Sequence, residues 1–505
     1  MGRIPRVVAA AGCLFVSICA AFAASPNPPR AGVAASVLAT AAAPDESVRP
    51  YVRISAPAVL LRGVRVIDGT GAAPVDNRDV LIVGDRIEAI GDSGLAGPAD
   101  AQVLDLPGRT VMPGLVGMHD HLFHIARPNL QANGKSDAPL LAPEMAFSSP
   151  RLYLAAGVTT IRTTGSVEPY ADLNLKKLID AGHLPGPRMD VTSPYIGNHP
   201  LFPQMSELHS AEQARRMAAY WADEGVTSFK AYMYITRDEL KAAIDEAHRR
   251  GLKVTGHLCS VTYPEAVALG IDDLEHGFFV NTQLDPGKKP DTCPDSAGDP
   301  TLAKMGEDRA SGDALIDLLV RHHVAVTSTL PVFEQTVANR PPLDPAQLAV
   351  MAPQAREAYL YARARRAAAT PEARDQAEYA FKTGMALERR FVERGGLLLA
   401  GCDPTGSGGV VPGFSDHREL ELLVEAGFTP VEAIHIATFN GASYLGVADS
   451  IGSVAPGKLA DLLVVRGDPS KNISDVRHVE LVFKGGVGYD PAALLESVRG
   501  HFGQY

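Results

Sequence analysis

Lys230, in Thr227-Ser228-Phe229-Lys230-Ala231-Tyr232, falls between a His-x-His pair, His119 and His121, and three later residues able to bind metals, His257, His276 and Asp403. That order is the order of a two-metal hydrolase. A neutral lysine adds carbon dioxide to become a carbamate, and the resulting anion can bridge two divalent cations that a cationic lysine would repel. The residues therefore imply a binuclear site, with two divalent ions, zinc first among them, and a carbon dioxide-derived carbamate on Lys230. Zinc lowers the pKa of bound water from about 15.7 to about 7, so such a site offers a hydroxide at neutral pH while a metal polarises the substrate carbonyl. Asp403 is the candidate general acid and base, accepting the hydroxide proton and returning it to the leaving nitrogen.

Ligands spread over so much chain need a scaffold that gathers strand ends. Apolar β-type runs alternate with helical stretches at Val111 to His121, Gly157 to Thr164, Arg188 to Ile196, Thr227 to Met233, Lys253 to Leu258, Asp272 to Gly277, Val324 to Leu330 and Leu397 to Asp403. Eight such units imply an α/β fold, a (β/α)8 TIM barrel, whose chemistry sits at the C-terminal strand ends. All six candidate ligands fall at or near those ends. Because neighbouring side chains on a strand face opposite ways, His119 and His121 share one face and Asp120 points toward the helix layer. By the same rule Lys230 and Tyr232 share the interior, and Cys259 shares a face with His257, where a thiol can pack as a small apolar group.

The chain has 505 residues, 46% hydrophobic and 21% charged, which suits a folded protein with a large core and leaves room beyond one barrel. Arg3 and Arg6, the apolar run Val7 to Phe22 and Ala21-Phe22-Ala23 match a secretory signal over residues 1–23. The run is shorter than the ~20 residues that span a bilayer, so an exported protein, periplasmic or secreted, with no stable membrane span is expected. Loss of those two arginines moves the formal net charge from −11 to −13. No Lys/Arg cluster opposes that acidity, which argues against a nucleic-acid partner. Cys13 and Cys19 leave with the signal; Cys259, Cys293 and Cys402 then allow one disulfide at most.

Residues 24–55, rich in Ala and Pro, read as a flexible linker. Short β-type runs at 59–61, 64–67, 80–83 and 86–90, and again at 460–465 and 479–484, place a composite β-sandwich module at 56–112 and 450–490. The barrel occupies 113–449 and a C-terminal tail 491–505.

Val111-Met112-Pro113-Gly114-Leu115-Val116-Gly117-Met118-His119-Asp120-His121 resembles the first barrel strand of the amidohydrolase superfamily, and Gly457-Lys458-Leu459-Ala460-Asp461-Leu462-Leu463-Val464 resembles its C-terminal β-module. The resemblance covers about residues 57–490. Gly157-Val158-Thr159-Thr160-Ile161-Arg162 and Gly186-Pro187-Arg188 are similar to the branch holding imidazolonepropionase-like enzymes and Xaa-Pro dipeptidases with a carboxylated lysine. The resemblance implies that His119, His121 and Asp403 bind the more buried metal, His257 and His276 the more exposed one, and carboxylated Lys230 both. Two positions depart from the branch: Thr163, where an Asp often follows the arginine, and Ala231-Tyr232-Met233, where a Gly-rich run is common in the dipeptidases. They bear on substrate, not on the metal set.

Around the ligands, Tyr232 is a candidate for hydrogen-bonding the tetrahedral intermediate. His199, in Gly197-Asn198-His199-Pro200, is a candidate for contacting substrate or oxyanion. Arg162 fits either a substrate carboxylate or a structural ion pair, and His124 fits a supporting or loop position. Residues 280–310, polar and rich in Pro, Gly and Asp, suggest a mobile lid. Residues 342–395 read as amphipathic helix that narrows the pocket or forms a subunit contact, leaving a homo-oligomer open. The expected activity is hydrolysis of an amide C–N bond in a small molecule such as a dipeptide or N-acyl amino acid. The alternatives are a cyclic-amide hydrolase, a mononuclear deaminase, and a non-catalytic metal-binding periplasmic protein, which the six filled ligand positions disfavour.

Overall fold

The computed structural model describes residues 32–38, 42–125, 143, 145–199, 205–405 and 409–504; the expected signal at 1–23 lies outside them. Eight parallel strands run in sequence order: Leu115–Asp120, Val158–Thr163, Arg188–Gly197, Ser228–Ala231, Lys253–Gly256, Asp273–Glu275, Ala325–Ser328 and Leu398–Ala400. They are the first to eighth barrel strands below. Between the eighth and the first, the N–H groups of Cys402 and Asp403 donate to the His119 carbonyl at 3.2 and 2.9 Å. Gly401 permits that approach, since a Cβ there would lie 2.4 Å from the His119 nitrogen.

The run Val111 to His121 is not one strand. Arg109–Pro113 pairs antiparallel with Leu462–Arg466, and the barrel begins only at Leu115. The break is Gly114, where a Cβ would stand 2.0 Å from Thr159 Oγ1. Arg109–Pro113 instead joins a second, largely antiparallel sheet of nine strands drawn from both termini. Val59, Leu61, Val64, Leu462, Val464 and Phe483 are among the apolar residues buried in its core.

The stretch expected as a linker is partly ordered into this sheet: Val52–Ile54 pairs with Val487–Tyr489, and Ile54 is buried. The expected tail likewise carries a helix, Pro491–Ser497, with Leu494, Val498 and Phe502 buried. In the tail Leu494, Val498 and Phe502 recur at four-residue spacing, while Ile54 is a single buried residue in a short strand. Where sheet and barrel meet, Arg188 of the third barrel strand pairs with Asp461 at 2.9 Å, and Lys484 Nζ donates to the Gly186 carbonyl at 2.7 Å.

The helices that follow the fourth and fifth strands start where their sequences dictate. Thr236 with Glu239 caps Arg237–Arg249, and Thr262 with Glu265 caps Tyr263–Leu269, each a reciprocal capping box. Tight caps fix where Lys230 and His257 leave their strands. Of the 342–395 stretch, Pro371–Glu393 buries Phe381, Met385, Leu387 and Phe391 and is the barrel helix that leads into the eighth strand, not an insertion. The 280–310 segment is tied down: buried Asp285 accepts from Thr301 Oγ1 at 2.6 Å and the Gly298 N–H at 3.0 Å, and Cys293 forms a disulfide with Cys259. That pairing replaces the expected apolar packing of Cys259. Among the described residues no helix is long and apolar enough to cross a membrane.

Candidate metal centre

The barrel gathers the predicted ligands at one end. His119 lies within the first strand and His121 one residue past it; Lys230 lies in the fourth; His257 and His276 each follow the fifth and sixth by one residue, and Asp403 follows the eighth. Ligand atoms of His119, His121 and Asp403 lie within 4.8 Å of one another. His121 Nε2 is 3.3 Å and His119 Nε2 3.7 Å from Asp403 Oδ1, and His276 Nδ1 is 4.0 Å from Asp403 Oδ2. The rings of His119 and His276 stand 4.5 Å apart, as do those of His257 and His276.

Two imidazoles have their tautomers set from behind. His119 Nδ1–H donates to Glu275 Oε2 at 2.6 Å, and His121 Nδ1–H donates to the Gly165 carbonyl at 3.0 Å, leaving both Nε2 lone pairs for a metal. Burial, then the charge of Lys230, holds His119 well below its usual pKa and His257 down at about 3. Burial, with His257 alongside, depresses His276 too. Neutral imidazole is the form that ligates. Burial opposes ionisation of Asp403, yet His119, His121 and Lys230 outweigh it and keep the carboxyl below the usual carboxylate range.

Lys230 is 1% exposed, and its Nζ has no hydrogen-bond partner among the described residues. Burial brings its pKa down to about 8, against the pull of Glu275 and Asp403. A buried, partly neutral, unpartnered amine facing imidazoles and carboxylates fits conversion to a metal-bridging carbamate. Two of the candidate ligands also hold strained backbone: His276 at φ 68° and Asp403 at φ 54°. Left-handed conformations cost residues other than glycine about 1–3 kcal/mol and cluster at functional sites.

Glu275 and Asp273, which sequence reasoning missed, form the floor. Glu275 receives His119, Arg162 at 2.9 Å and the Thr255 hydroxyl; Asp273 receives Arg162 at 2.7 Å. Arg162 is therefore the buried structural ion pair and not a substrate carboxylate contact. The signal was present: residues 273 and 275 alternate inward on one strand, the rule that singled out His119 and His121.

Tyr232 lies beside one candidate ligand, its ring centroid 4.9 Å from that of His257 and 4.7 Å from that of Tyr195. His199 is exposed, its ring meeting Tyr234 at 5.2 Å, and among the described residues none of its ring contacts reaches a candidate ligand. His124 is buried edge-on to Phe502 at 5.4 Å, a supporting position. Asp120 does turn to the helix layer, meeting Cys402 Sγ at 3.3 Å; Cys402 also lies 3.5 Å from Asp416.

The Amidohydrolase family model matches residues 110–487. An imidazolonepropionase from Geobacillus kaustophilus is 24% identical over 479 residues, 84% of this chain and 95% of that protein. A dihydroorotase from Geotalea daltonii is 44% identical over only 64 residues, 13% of this chain, so the chain spans 15% of that relative's length. A crystal structure of a Xaa-Pro dipeptidase with bound methionine in the active site superimposes with TM-score 0.63 at 20% identity, over 86% of this chain and all of that one, a likeness of fold.

Proposed function

The chain belongs to the amidohydrolase family, and from that premise we propose that it hydrolyses an amide C–N bond of a small substrate, a dipeptide or N-acyl amino acid, at a binuclear centre. His119, His121, His257, His276, Asp403 and carboxylated Lys230 would hold the two divalent ions, zinc first among them. The observation that carries this reading is Lys230 itself, whose Nζ is buried without a hydrogen-bond partner among the described residues and close enough to His119, His257, His276 and Asp403 to shift their protonation. Its neutral amine attacks the carbon of carbon dioxide, a C–N bond forms as one C=O π pair moves to oxygen, and the displaced N–H proton leaves to water. The product is an anion with two donor oxygens.

When bound, the ions supply an activated water and polarise the scissile carbonyl. Asp403, ionised and 13% exposed at the mouth, takes the water's proton and delivers it to the departing nitrogen, which leaves poorly as an anion. Glu275 keeps His119 in the ligating tautomer. Tyr232, half-buried with its ring 4.9 Å from that of His257, would donate to the developing oxyanion. His199 would act only from the rim. The likeness to an imidazolonepropionase across most of both chains favours a cyclic amide as the second reading. The acidic composition argues against a nucleic-acid partner, and the signal-like N-terminus supports export.

The test is amine release from a panel of Xaa-Pro and other dipeptides, N-acetyl amino acids and five-membered cyclic amides, with wild-type and Asp403→Asn chains. Turnover of a linear amide that falls by about 10²–10⁴ in the variant is expected. Turnover of cyclic amides alone would favour the second reading, and activity unaffected by the substitution would remove Asp403 from the chemistry.

A further inference from the structure

A cavity of about 420 Å³, a size typical of small-molecule sites, lies behind the wall of the metal centre. The short helix Leu330–Glu334 separates the two: Phe333 faces His276, centroids 5.7 Å apart, while Pro331 and Glu334 line the cavity. The opposite wall is the helix Pro353–Ala367.

Its charge runs against the rest of the molecule. Arg340, Arg363, Arg366, Arg418 and Arg477 line it with Glu334, Asp344 and Glu421, and Glu425 pairs with Arg340 at 2.6 Å from just outside the lining, five positive against four negative, or +1 within a chain of formal charge −11. The three lining carboxylates are already engaged. Glu334 pairs with Arg340 and Arg418, both at 2.7 Å, Glu421 with Arg418 at 2.7 Å and Arg477 at 2.6 Å, and Asp344 with Arg477 at 3.3 Å.

Arg363 and Arg366 remain, one turn apart and so on one helix face. Arg363 donates only to neutral acceptors, the carbonyls of Arg340 at 2.7 Å and Pro341 at 3.4 Å. Arg366 is half-buried, and its side chain has neither a hydrogen bond nor an ion pair among the described residues. Burial, with Arg363 beside it, lowers its pKa, the mark of a cation lacking a counter-charge. Two neighbouring guanidinium groups lining a closed-in space are stabilised by an anion whose oxygens both can reach.

We propose that this cavity is a binding site for a small anion carrying a carboxylate or a phosphate, held by Arg363 and Arg366. It is distinct from the amide-cleaving site and does not depend on that assignment.

Calorimetric titration of the full chain, in a zwitterionic buffer of low ionic strength, with glutarate in one arm and inorganic phosphate in the other tests it. Saturable binding of about one anion per chain is expected in at least one arm, and the arm that binds identifies the group. Arg366→Gln and Arg363→Gln should each weaken it at least tenfold, while Arg365→Gln, an exposed neighbour on the same helix, should not. If one of the cavity variants does not fold, the other decides. Absence of saturable binding in both arms, binding that survives the folded cavity variant, or equal weakening by Arg365→Gln would overturn the proposal.

Discussion

Two lysines are buried in two parts of this molecule, Lys230 at the barrel mouth and Lys484 where the terminal sheet meets the barrel, at 1% and 5% exposure. Burial depresses both amines, to about 8 and about 7. What surrounds them differs. Lys484 donates to the Gly186 carbonyl beside the Arg188–Asp461 pair, so its polar atom is satisfied by backbone. Lys230 has no such partner and interacts with the imidazoles of His119, His257 and His276 and the carboxylates of Glu275 and Asp403. A low pKa alone therefore does not mark a reactive lysine; an unpartnered nitrogen ringed by metal donors does.

The largest way to break this contrast is to remove the cation beneath Lys230. Arg162→Met leaves Asp273 and Glu275 buried without their guanidinium and should cost about 3–5 kcal/mol in denaturant unfolding. A loss below about 1 kcal/mol would mean that the floor is not held by this pair. The Cys259–Cys293 disulfide closes a separation of 34 residues two positions beyond His257, so reducing it should cost roughly 3–4 kcal/mol in the same assay. Unchanged unfolding on reduction would show that buried Asp285 alone anchors the segment.

Smaller effects sharpen the comparison. Glu275→Gln removes the anion that fixes the His119 tautomer and should lower zinc affinity about 10–100-fold in chelator competition, with little change in fold. Lys484→Met should leave zinc affinity untouched and stability at neutral pH within about 1 kcal/mol, because relief of burial offsets the lost bond to Gly186. Its signature is in pH. Lys484 has a folded pKa of about 7 against an ordinary 10.5, so the unfolded chain binds the extra proton across that window and wild-type stability rises with pH through it. Thermal unfolding between those two values should show that rise flattened in the variant; an unaltered slope would mean that Lys484 stays charged when folded.

The gathering of the candidate ligands at one end of the barrel was legible in the sequence because metal-binding residue types at strand ends combine with period-two alternation, two signals that do not depend on tertiary detail. The same alternation pointed to Asp273 and Glu275, yet acids in a strand interior were passed over. Other features are set by distance in space. Nothing local distinguishes Cys293 as the partner of Cys259, and the apolar texture of Val111 to His121 runs unbroken across Gly114, although a glycine forced by Thr159 separates two sheets there. Residues 342–395 read as one amphipathic helical stretch, and the structure divides it into separate helices of which Pro371–Glu393 packs on the barrel before Leu398–Ala400. His199 was placed near the chemistry by loop position alone, and its exposed ring instead meets Tyr234.

The most direct test is the number of metal ions per chain, by elemental analysis of protein purified with bicarbonate and zinc, in wild type, Lys230→Ala and Lys484→Met. About two ions in wild type and in Lys484→Met, with a sharp fall in Lys230→Ala, is the expected result for a carbamate-bridged pair. About one ion in all three would contradict it, leaving Lys230 a buried lysine no more reactive than Lys484.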